Sequence, residues 1–383
     1  MLYNDDVNVP AMMKAMNVPE TEARDYLPFG CGEYILWRKS VATPSGAINV
    51  AKCLELALND GRCLLTGEVV GPRTGAPASF GTFEALWHAF TVQLDHGIRA
   101  LARLQRLEYE VGAREIAFLY ITLLTDDCLA TGKAVCFGGA RYLSGTLETY
   151  GNSDVADALT AVRRAVFDDK RVALPDLVVA LKNNWSDAEP LRQSLLALPK
   201  FGNDDDEADA MAVRFHEHIA NAIRDQAKVV GLHSYLMVVI NNSMNVDFGH
   251  MTAALPDGRR AGEPLANGNN PVAGRDRQGV TAFLQSLAKL RPDHHAGAVH
   301  NMKFSRALFT CSRAKLEALL AAYWESGGAQ AMITVVNRGD LEAAMAEPAK
   351  WGHLIVRVGG FSARFIELPQ DLQLHLLART LNE

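Results

Sequence analysis

Near the end of the chain, two runs rich in strand-forming residues are separated by a bare pair of glycines, Gly359 and Gly360. The runs cover residues 353–358 and 361–368. This pattern predicts a β-hairpin, because glycine reaches the positive φ angles of a tight turn without steric cost. The feature restricts this part of the chain to a short hairpin with a very small tip.

A second pair of glycines, Gly30 and Gly32, flanks Cys31 shortly after Pro28. Proline lacks a backbone donor and glycine loses much conformational entropy in a regular element, so the cysteine is expected on a loop over residues 28–34. The six cysteines include no CxxC pair, which argues against a zinc ribbon, an iron–sulfur cluster or a thioredoxin-like site. The others are expected to be small buried residues in a reducing compartment, and they are Cys53, Cys63, Cys128, Cys136 and Cys311.

Composition excludes several classes of protein. The 383 residues are 49% apolar and 21% charged, which is typical of a globular chain and on length alone suggests two or three domains. With 38 Lys and Arg against 44 Asp and Glu, the net charge of −6 excludes a polybasic nucleic-acid binder. The longest apolar run, residues 229–240, is shorter than the roughly 18 to 20 residues of a membrane span. The start resembles no secretory signal, so we expect a cytoplasmic protein without a membrane segment.

Hydrophobic periodicity predicts a largely helical chain, with the longest helix over residues 82–110. Further predicted elements are helices over 10–16, 21–26, 47–59, 114–131, 153–168, 189–197, 207–227, 312–326, 340–346 and 369–383, and a buried strand over 331–336. Residues 255–279 are rich in Gly, Pro, Arg and Asn and are expected to form a surface loop, with phosphate or carboxylate binding as the alternative. His216 and His218 are two positions apart, face different directions on a helix and are not expected to bind a metal.

Residues 356–365, Val-Arg-Val-Gly-Gly-Phe-Ser-Ala-Arg-Phe, resemble the signature of the glycyl radical enzymes, the superfamily of pyruvate formate-lyase and glycerol dehydratase. The loop Phe-Gly-Cys-Gly-Glu at 29–33 resembles the cysteine loop of that family. Further similar stretches occur in the same order at residues 137–142, 200–204, 256–266 and 300–304.

The resemblance implies an α/β fold, the C-terminal half of a ten-stranded β/α barrel with many surrounding helices and a C-terminal glycyl radical domain. Residues 1–250 are then expected to form a half-barrel core that carries the cysteine loop. Residues 251–383 are expected to complete this half and to form the radical domain, with the radical loop at 356–365 and a final helix at 369–383.

The chemistry implied by the resemblance is a backbone radical on Gly360, installed by a separate radical S-adenosylmethionine activating enzyme, with no bound cofactor or metal. This radical would generate a transient thiyl radical on Cys31. Glycine suits the role because, without a Cβ, its Cα can become planar and can enter a crowded site. The expected surface turn is therefore revised to a buried loop tip aimed at Cys31.

The cysteine loop also indicates the type of reaction. Glu33 matches the glutamate that eliminating members of the family use as acid or base, and burial would raise its pKa. Pyruvate formate-lyase has two adjacent cysteines, whereas only Cys31 is present here. We therefore expect C–O, C–N or C–S elimination or decarboxylation of a small polar substrate, with formate C-acetyltransferase activity as the alternative.

Two local departures from the related dehydratases put diol dehydration in doubt. Those enzymes continue their loop as Cys-Val-Glu-Pro, whereas this chain reads Cys-Gly-Glu-Tyr. They also carry an aspartate about fourteen residues later, where this chain has Thr-Pro-Ser-Gly at 43–46. Four residues are candidates to line the substrate pocket instead, namely Tyr34, Trp37, Arg38 and Ser45.

Members of this family are about twice as long. Half a barrel would leave strand edges unpaired and apolar surface in water. The sequence therefore predicts a split enzyme in which another chain supplies the N-terminal half, within a higher oligomer. A non-catalytic spare radical subunit is the alternative from another class, although retention of Cys31 and Glu33 argues against it. Anaerobic ribonucleotide reductase is a poor match because the tail has no cysteine-rich zinc segment.

Overall fold

The computed structural model describes residues 1–240 and 242–379, and for residues 42–45 it describes the backbone alone. Over these ranges, no helix is both long enough and apolar enough to cross a membrane.

The described chain contains both strands and helices, numbered here in chain order. The strands are β1 (Leu2–Tyr3), β2 (Tyr26–Phe29), β3 (Glu33–Leu36), β4 (Ser40–Asn49), β5 (Tyr142–Tyr150), β6 (Tyr235–Val239), β7 (His295–Ala298), β8 (Asn301–Phe304), β9 (Gln330–Val335), β10 (Ile355–Arg357) and β11 (Ser362–Arg364). The helices are α1 (Asp5–Met16), α2 (Glu20–Ala23), α3 (Val50–Leu58), α4 (Phe83–Glu115), α5 (Leu119–Leu124), α6 (Cys128–Thr131), α7 (Asn152–Val162), α8 (Leu174–Lys182), α9 (Glu189–Leu196), α10 (Asp206–Arg224), α11 (Gln226–Val230), α12 (Met244–His250), α13 (Gly279–Ala288), α14 (Arg306–Cys311), α15 (Arg313–Glu325), α16 (Arg338–Ala346) and α17 (Gln370–Ala378).

A parallel four-stranded sheet with the order β4-β5-β6-β7 forms the centre of the fold. Parallel neighbours need long crossover connections, which the chain supplies as helices. All five residues of β6 are buried, as expected for a strand covered on both faces. A second sheet has the order β1-β9-β8, with β8 and β9 parallel and β1 antiparallel to β9.

Separate hydrophobic clusters form the core of different parts of the fold. The largest cluster lies between the central sheet and the helices α3, α4, α7 and α10. A second cluster surrounds the antiparallel hairpin β2–β3 and includes Tyr34 and Leu36. The antiparallel hairpin β10–β11 packs with α17 and α16 in a further cluster that contains Val356, Phe365 and Leu376.

The predicted helices at 82–110, 189–197, 312–326 and 340–346 are confirmed within a few residues by α4, α9, α15 and α16. The predicted helix over 47–59 is partly wrong, because residues up to Asn49 belong to β4. The Asn49 side chain accepts a hydrogen bond from the Lys52 N–H at 2.9 Å, so it caps the helix that begins at Val50. The sequence reading missed β4 because its Pro, Ser and Gly residues obscure the strand pattern.

The segment predicted as one helix over 114–131 is instead broken into the end of α4 and two short helices. The break falls at Ala117 and Phe118, which have φ angles of +57° and +44°. Two consecutive residues in this region end a right-handed helix.

The expectation of a surface loop at 255–279 is wrong over its first half. Leu255 and Asp257 are fully buried and Arg259 is 1% exposed. The Arg259 guanidinium donates to the backbone carbonyls of Ala253 and Gly249 at 2.9 and 2.8 Å. Internal hydrogen bonds of this kind allow polar residues to lie inside the molecule, and composition alone does not reveal them.

Candidate functional site

Cys31 lies at the tip of the β2–β3 hairpin. Phe29 pairs with Glu33, so residues 30–32 form the turn. Gly30 has a φ of +57° and Gly32 a φ of +148°, a region that residues with a side chain rarely adopt. The two glycines therefore bend the backbone so that the half-buried Cys31 is presented at the end of the hairpin.

The tip of the β10–β11 hairpin touches this cysteine. Gly360 lies in the four-residue link, residues 358–361, between Arg357 and Ser362, where the Val358 N–H donates to the Phe361 carbonyl. A Cβ placed on Gly360 would collide with the Cα, Cβ and Sγ atoms of Cys31. Gly360 has no φ in the left-handed region, so the tight-turn reason for a glycine here is wrong and the reason is steric. The expectation of a loop tip directed at Cys31 agrees with this geometry.

Two arginines hold the Gly360 loop by its carbonyl groups. Arg357 Nη2 donates to the Gly360 carbonyl at 2.8 Å. Arg379, which follows α17, donates to the carbonyls of Val358 and Arg357 at 2.6 and 3.3 Å. Charged donors make strong hydrogen bonds, so these contacts fix the loop tip above the cysteine.

The Glu33 carboxyl group turns back onto the cysteine loop. Its Oε2 atom accepts hydrogen bonds from the N–H groups of Cys31 and Gly32 at 2.6 and 2.8 Å. The side chain is 3% exposed, and this burial raises its pKa, while the backbone donors act in the opposite direction. Glu33 is therefore placed to exchange a proton next to the cysteine.

Cys31 keeps its proton in this environment. Burial and the nearby carboxyl groups of Glu33 and Glu148 together raise the pKa of its thiol to about 11, against a lowering hydrogen bond from the Gly360 backbone. A thiolate is the form that acts as a nucleophile or metal ligand. A protonated thiol instead has an S–H bond from which a hydrogen atom can be removed.

The sequence reading missed a second acidic group at this site. Glu148 is 8% exposed, and the Tyr150 hydroxyl donates to its Oε2 atom at 2.7 Å. The same hydroxyl oxygen lies 2.9 Å from Asn242 Oδ1. Burial raises the pKa of Glu148, and the charge of Glu33 adds to that increase. The spacing of Glu148 and Tyr150 could have indicated a polar pair at this site, because residues two positions apart share one face of β5.

Three of the four other predicted pocket residues are not brought to Cys31. Tyr34 is fully buried in the cluster around β2–β3 and donates to Asn8 Oδ1 at 2.7 Å. Trp37 is 57% exposed beyond the end of β3 that is farther from the turn. Arg38 forms a surface ion pair with Asp126 at 2.7 Å. The side chain of Ser45 lies outside the described residues.

The remaining cysteines only partly follow the expectation of burial. Cys53, Cys63 and Cys128 are buried, Cys136 is half-buried, and Cys311 at the end of α14 is exposed. Within residues 1–240 and 242–379, no three His, Cys, Asp or Glu side chains come together in a group that could hold a metal ion.

Comparisons with known proteins identify the family. Residues 1–249 match the model of the pyruvate formate lyase-like family, and residues 265–366 match the glycine radical model. The isethionate sulfite-lyase of Oleidesulfovibrio alaskensis is 33% identical over 99% of this chain and 47% of its own length. The trans-4-hydroxy-L-proline dehydratase of Clostridioides difficile is 29% identical over 99% of this chain and 48% of its own length.

Solved structures agree with these relatives. The glycerol-bound, B12-independent glycerol dehydratase of Clostridium butyricum matches with a TM-score of 0.93 and 29% identity, over 99% of this chain and 48% of that one. A glycyl radical enzyme of Archaeoglobus fulgidus matches with a TM-score of 0.93 and 32% identity over the same shares. The chain belongs to the pyruvate formate lyase-like family of glycyl radical enzymes. It spans about half the length of the relatives that it matches.

Proposed function

We propose that this chain is the radical-bearing C-terminal subunit of a split glycyl radical lyase, which eliminates a leaving group from a small polar substrate or decarboxylates it. In this proposal Gly360 carries the stored radical, Cys31 is the hydrogen-transferring residue and Glu33 is the acid or base. The observation that carries it is the contact of Gly360 with Cys31, where even one methyl group would not fit.

The transfer of hydrogen atoms balances over one catalytic cycle. The Gly360 radical takes the hydrogen atom of the Cys31 S–H bond, which leaves a thiyl radical on sulfur. The thiyl radical then takes a hydrogen atom from a C–H bond of the substrate and re-forms the thiol. After the leaving group departs, the product radical recovers a hydrogen atom from Cys31, and Gly360 returns its own hydrogen to sulfur. The raised pKa of Cys31 supports this cycle, since it keeps the S–H bond present near neutral pH.

The carboxyl groups suit proton transfer to the departing group. Glu33 and Glu148 are both buried with raised pKa values, so each can hold a proton close to neutrality. Elimination of a C–O, C–N or C–S bond needs a proton for the leaving group or removal of one from a neighbouring hydroxyl. The described cysteine loop has Cys31 without an adjacent cysteine, which disfavours formate C-acetyltransferase activity.

Two surfaces of this chain, an unpaired strand edge and a group of exposed apolar side chains, support the proposal of a partner chain. β4 is ten residues long and lies at the edge of the central sheet, and no described strand pairs with its outer side. Long open edges favour pairing with another strand. The segment 104–137 also exposes many large apolar side chains, among them Leu107, Ile116, Leu119, Tyr120, Leu123 and Leu129. We infer that this sheet belongs to the chain's half of a ten-stranded barrel and that a second polypeptide covers both surfaces.

The test is anaerobic reconstitution with a radical S-adenosylmethionine activating enzyme and a chain that matches the N-terminal half of the relatives. Electron paramagnetic resonance should show a glycyl doublet. The substrates tested are those named for the relatives, isethionate, trans-4-hydroxy-L-proline and glycerol. Cys31→Ser should keep the doublet and abolish turnover, while the exposed Cys311→Ser should leave both unchanged.

Exposure to oxygen provides a second measurement. A backbone radical on Gly360 should lead to cleavage there, and mass spectrometry should detect the separated C-terminal fragment. An intact chain after activation and oxygen would contradict the assignment of the radical to Gly360. A doublet that survives while no partner chain restores turnover would instead favour the spare radical subunit.

A further inference from the structure

A small, partly enclosed cavity lies next to the Gly360 loop. It is bounded by the hairpin β10–β11, helix α17 and strand β8, and its volume is about 50 Å³. One wall is apolar and includes Phe283, Met302 and Leu341. The other walls are polar and cationic, and no residue of this cavity has a role in the proposed reaction.

Positive charge dominates the lining of this cavity. Lys303, Arg357 and Arg379 all line it, and Asp276 is the one carboxylate among the described lining residues. Burial, together with the positive charge of Arg379, lowers the pKa of Lys303 to about 8. His375 also lines the cavity, and burial lowers its pKa to about 3, so near neutral pH it is uncharged and adds nothing to this positive charge.

Several buried donors at the cavity have no hydrogen-bond partner among residues 1–240 and 242–379. Asn267 is 4% exposed and its Nδ2 atom donates to no described group. The Nε atoms of Arg357 and Arg379 are likewise buried and without a described acceptor. A buried donor left without an acceptor is costly, and such groups are rare in folded proteins. Three unused donors around one cavity of excess positive charge indicate a missing anionic acceptor.

The size of the cavity limits the anion. One water needs roughly 10 to 15 Å³ of such volume, so about 50 Å³ holds three to five non-hydrogen atoms. Formate has three such atoms and acetate has four, and the apolar wall suits the methyl group of acetate. We propose that this cavity binds one small carboxylate anion, held by Arg357, Arg379, Lys303 and Asn267.

An anion at this position would add a further connection between elements that already pack together. Arg357 and Arg379 already donate to the carbonyls of Gly360 and Val358. An acceptor shared by their remaining N–H groups would join the hairpin to the end of α17 and to β8. Occupancy is therefore expected to stabilise the docked position of the Gly360 loop.

Isothermal titration of the full-length chain with sodium formate and sodium acetate tests this site, with sodium chloride at matched ionic strength as the reference. We expect one bound carboxylate per chain and no comparable heat from chloride. Arg379→Gln should weaken binding about tenfold or more, because a charged hydrogen-bonding partner is lost. The matched control is Arg364→Gln, since Arg364 lies on the same hairpin in a surface contact with Glu367 and should keep its affinity within about twofold.

A second variant guards against a general loss of structure. Asn267→Asp keeps an acceptor for Asn301 Nδ2, which lies 2.6 Å from Asn267 Oδ1, but adds a negative charge to the cavity. It should abolish carboxylate binding while circular dichroism stays that of the parent. Equal binding by parent and Asn267→Asp would overturn the proposal.

A carboxylate could also come from the chain itself, because Glu383 follows Arg379 within the sequence. A variant that lacks residues 380–383 separates the two. If the full chain binds formate or acetate, the natural occupant is a free anion. If only the shortened chain binds them, the natural occupant is the tail. Both outcomes support a carboxylate site. If neither chain binds formate or acetate in preference to chloride, the site does not exist.

Discussion

The two hairpin tips that meet at the site use glycine for different physical reasons. In the β2–β3 tip, Gly30 and Gly32 have positive φ angles, so their backbone conformation requires glycine. In the β10–β11 tip, Gly360 has an ordinary backbone conformation but no room for a Cβ beside Cys31. The first tip depends on glycine to fold locally, and the second depends on glycine to touch its neighbour. Substitutions should therefore damage stability at one tip and contact at the other.

The largest expected effect is that of Gly360→Ala. An alanine at this position cannot carry a glycyl radical, and its added methyl group also collides with Cys31, so the loop must move away. We expect complete loss of the glycyl doublet in electron paramagnetic resonance after activation, with little change in the urea unfolding midpoint. The control is Gly352→Ala, where the nearest atom to the new Cβ is Ile366 Cδ1 at 3.9 Å. A normal doublet in Gly360→Ala would contradict the assignment of the radical to Gly360.

The next effect is that of Gly32→Ala on stability. The surrounding atoms lie 3.3 Å or more from the new methyl group, so the cost comes mainly from the φ of +148°. We expect a loss of about 1–3 kcal/mol in the free energy of unfolding, measured with urea. Gly339→Ala in α16 meets no atom within 4 Å and should be neutral or slightly stabilising. If both variants unfold alike, the positive φ at Gly32 carries no strain.

A smaller effect is expected for Glu33→Gln on the titration of Cys31. The carboxyl group of Glu33 raises the pKa of the thiol, so its removal should shift the onset of Cys31 alkylation to lower pH. Peptide mass spectrometry follows Cys31 directly, with the exposed Cys311 as an internal reference. The control Glu367→Gln changes an exposed carboxylate on the other hairpin segment. An unchanged alkylation profile in Glu33→Gln would show that this charge does not act on the thiol.

The smallest effect concerns Glu148 and the pH dependence of stability. Its pKa is raised by burial above the ordinary value of 4.5, so the folded protein binds this proton more tightly than the unfolded chain does. The stabilising contribution is full below pH 4.5 and is lost as the pH rises through the folded pKa. Glu148→Gln should therefore lose less stability than the parent between pH 4.5 and pH 8, as measured by urea unfolding. Glu325→Gln changes an exposed position and should show the same pH dependence of stability as the parent. If Glu148→Gln also shows the pH dependence of the parent, the pKa of Glu148 is not raised in the folded protein.

The sequence predicted the long helices and the meeting of two distant glycine-flanked loops, because periodicity and the family signature are both local patterns. It did not predict β4, whose proline and glycine interrupt any strand pattern, or the burial of Arg259, which depends on carbonyl groups brought together only by the fold. Glu148 was missed for a similar reason. Its proximity to Glu33 joins residues more than one hundred positions apart, and no local pattern reports such a distance.

The hairpin that carries Gly360 packs in its own hydrophobic cluster with α16 and α17, apart from the cluster around Cys31. A segment with a separate core can open as one cooperative unit at a lower free energy than global unfolding. Native-state hydrogen exchange should therefore report β10, β11 and α17 as a single unit that exchanges before the central sheet. Such an opening would expose Gly360 to an activating protein while the loop around Cys31 stays folded.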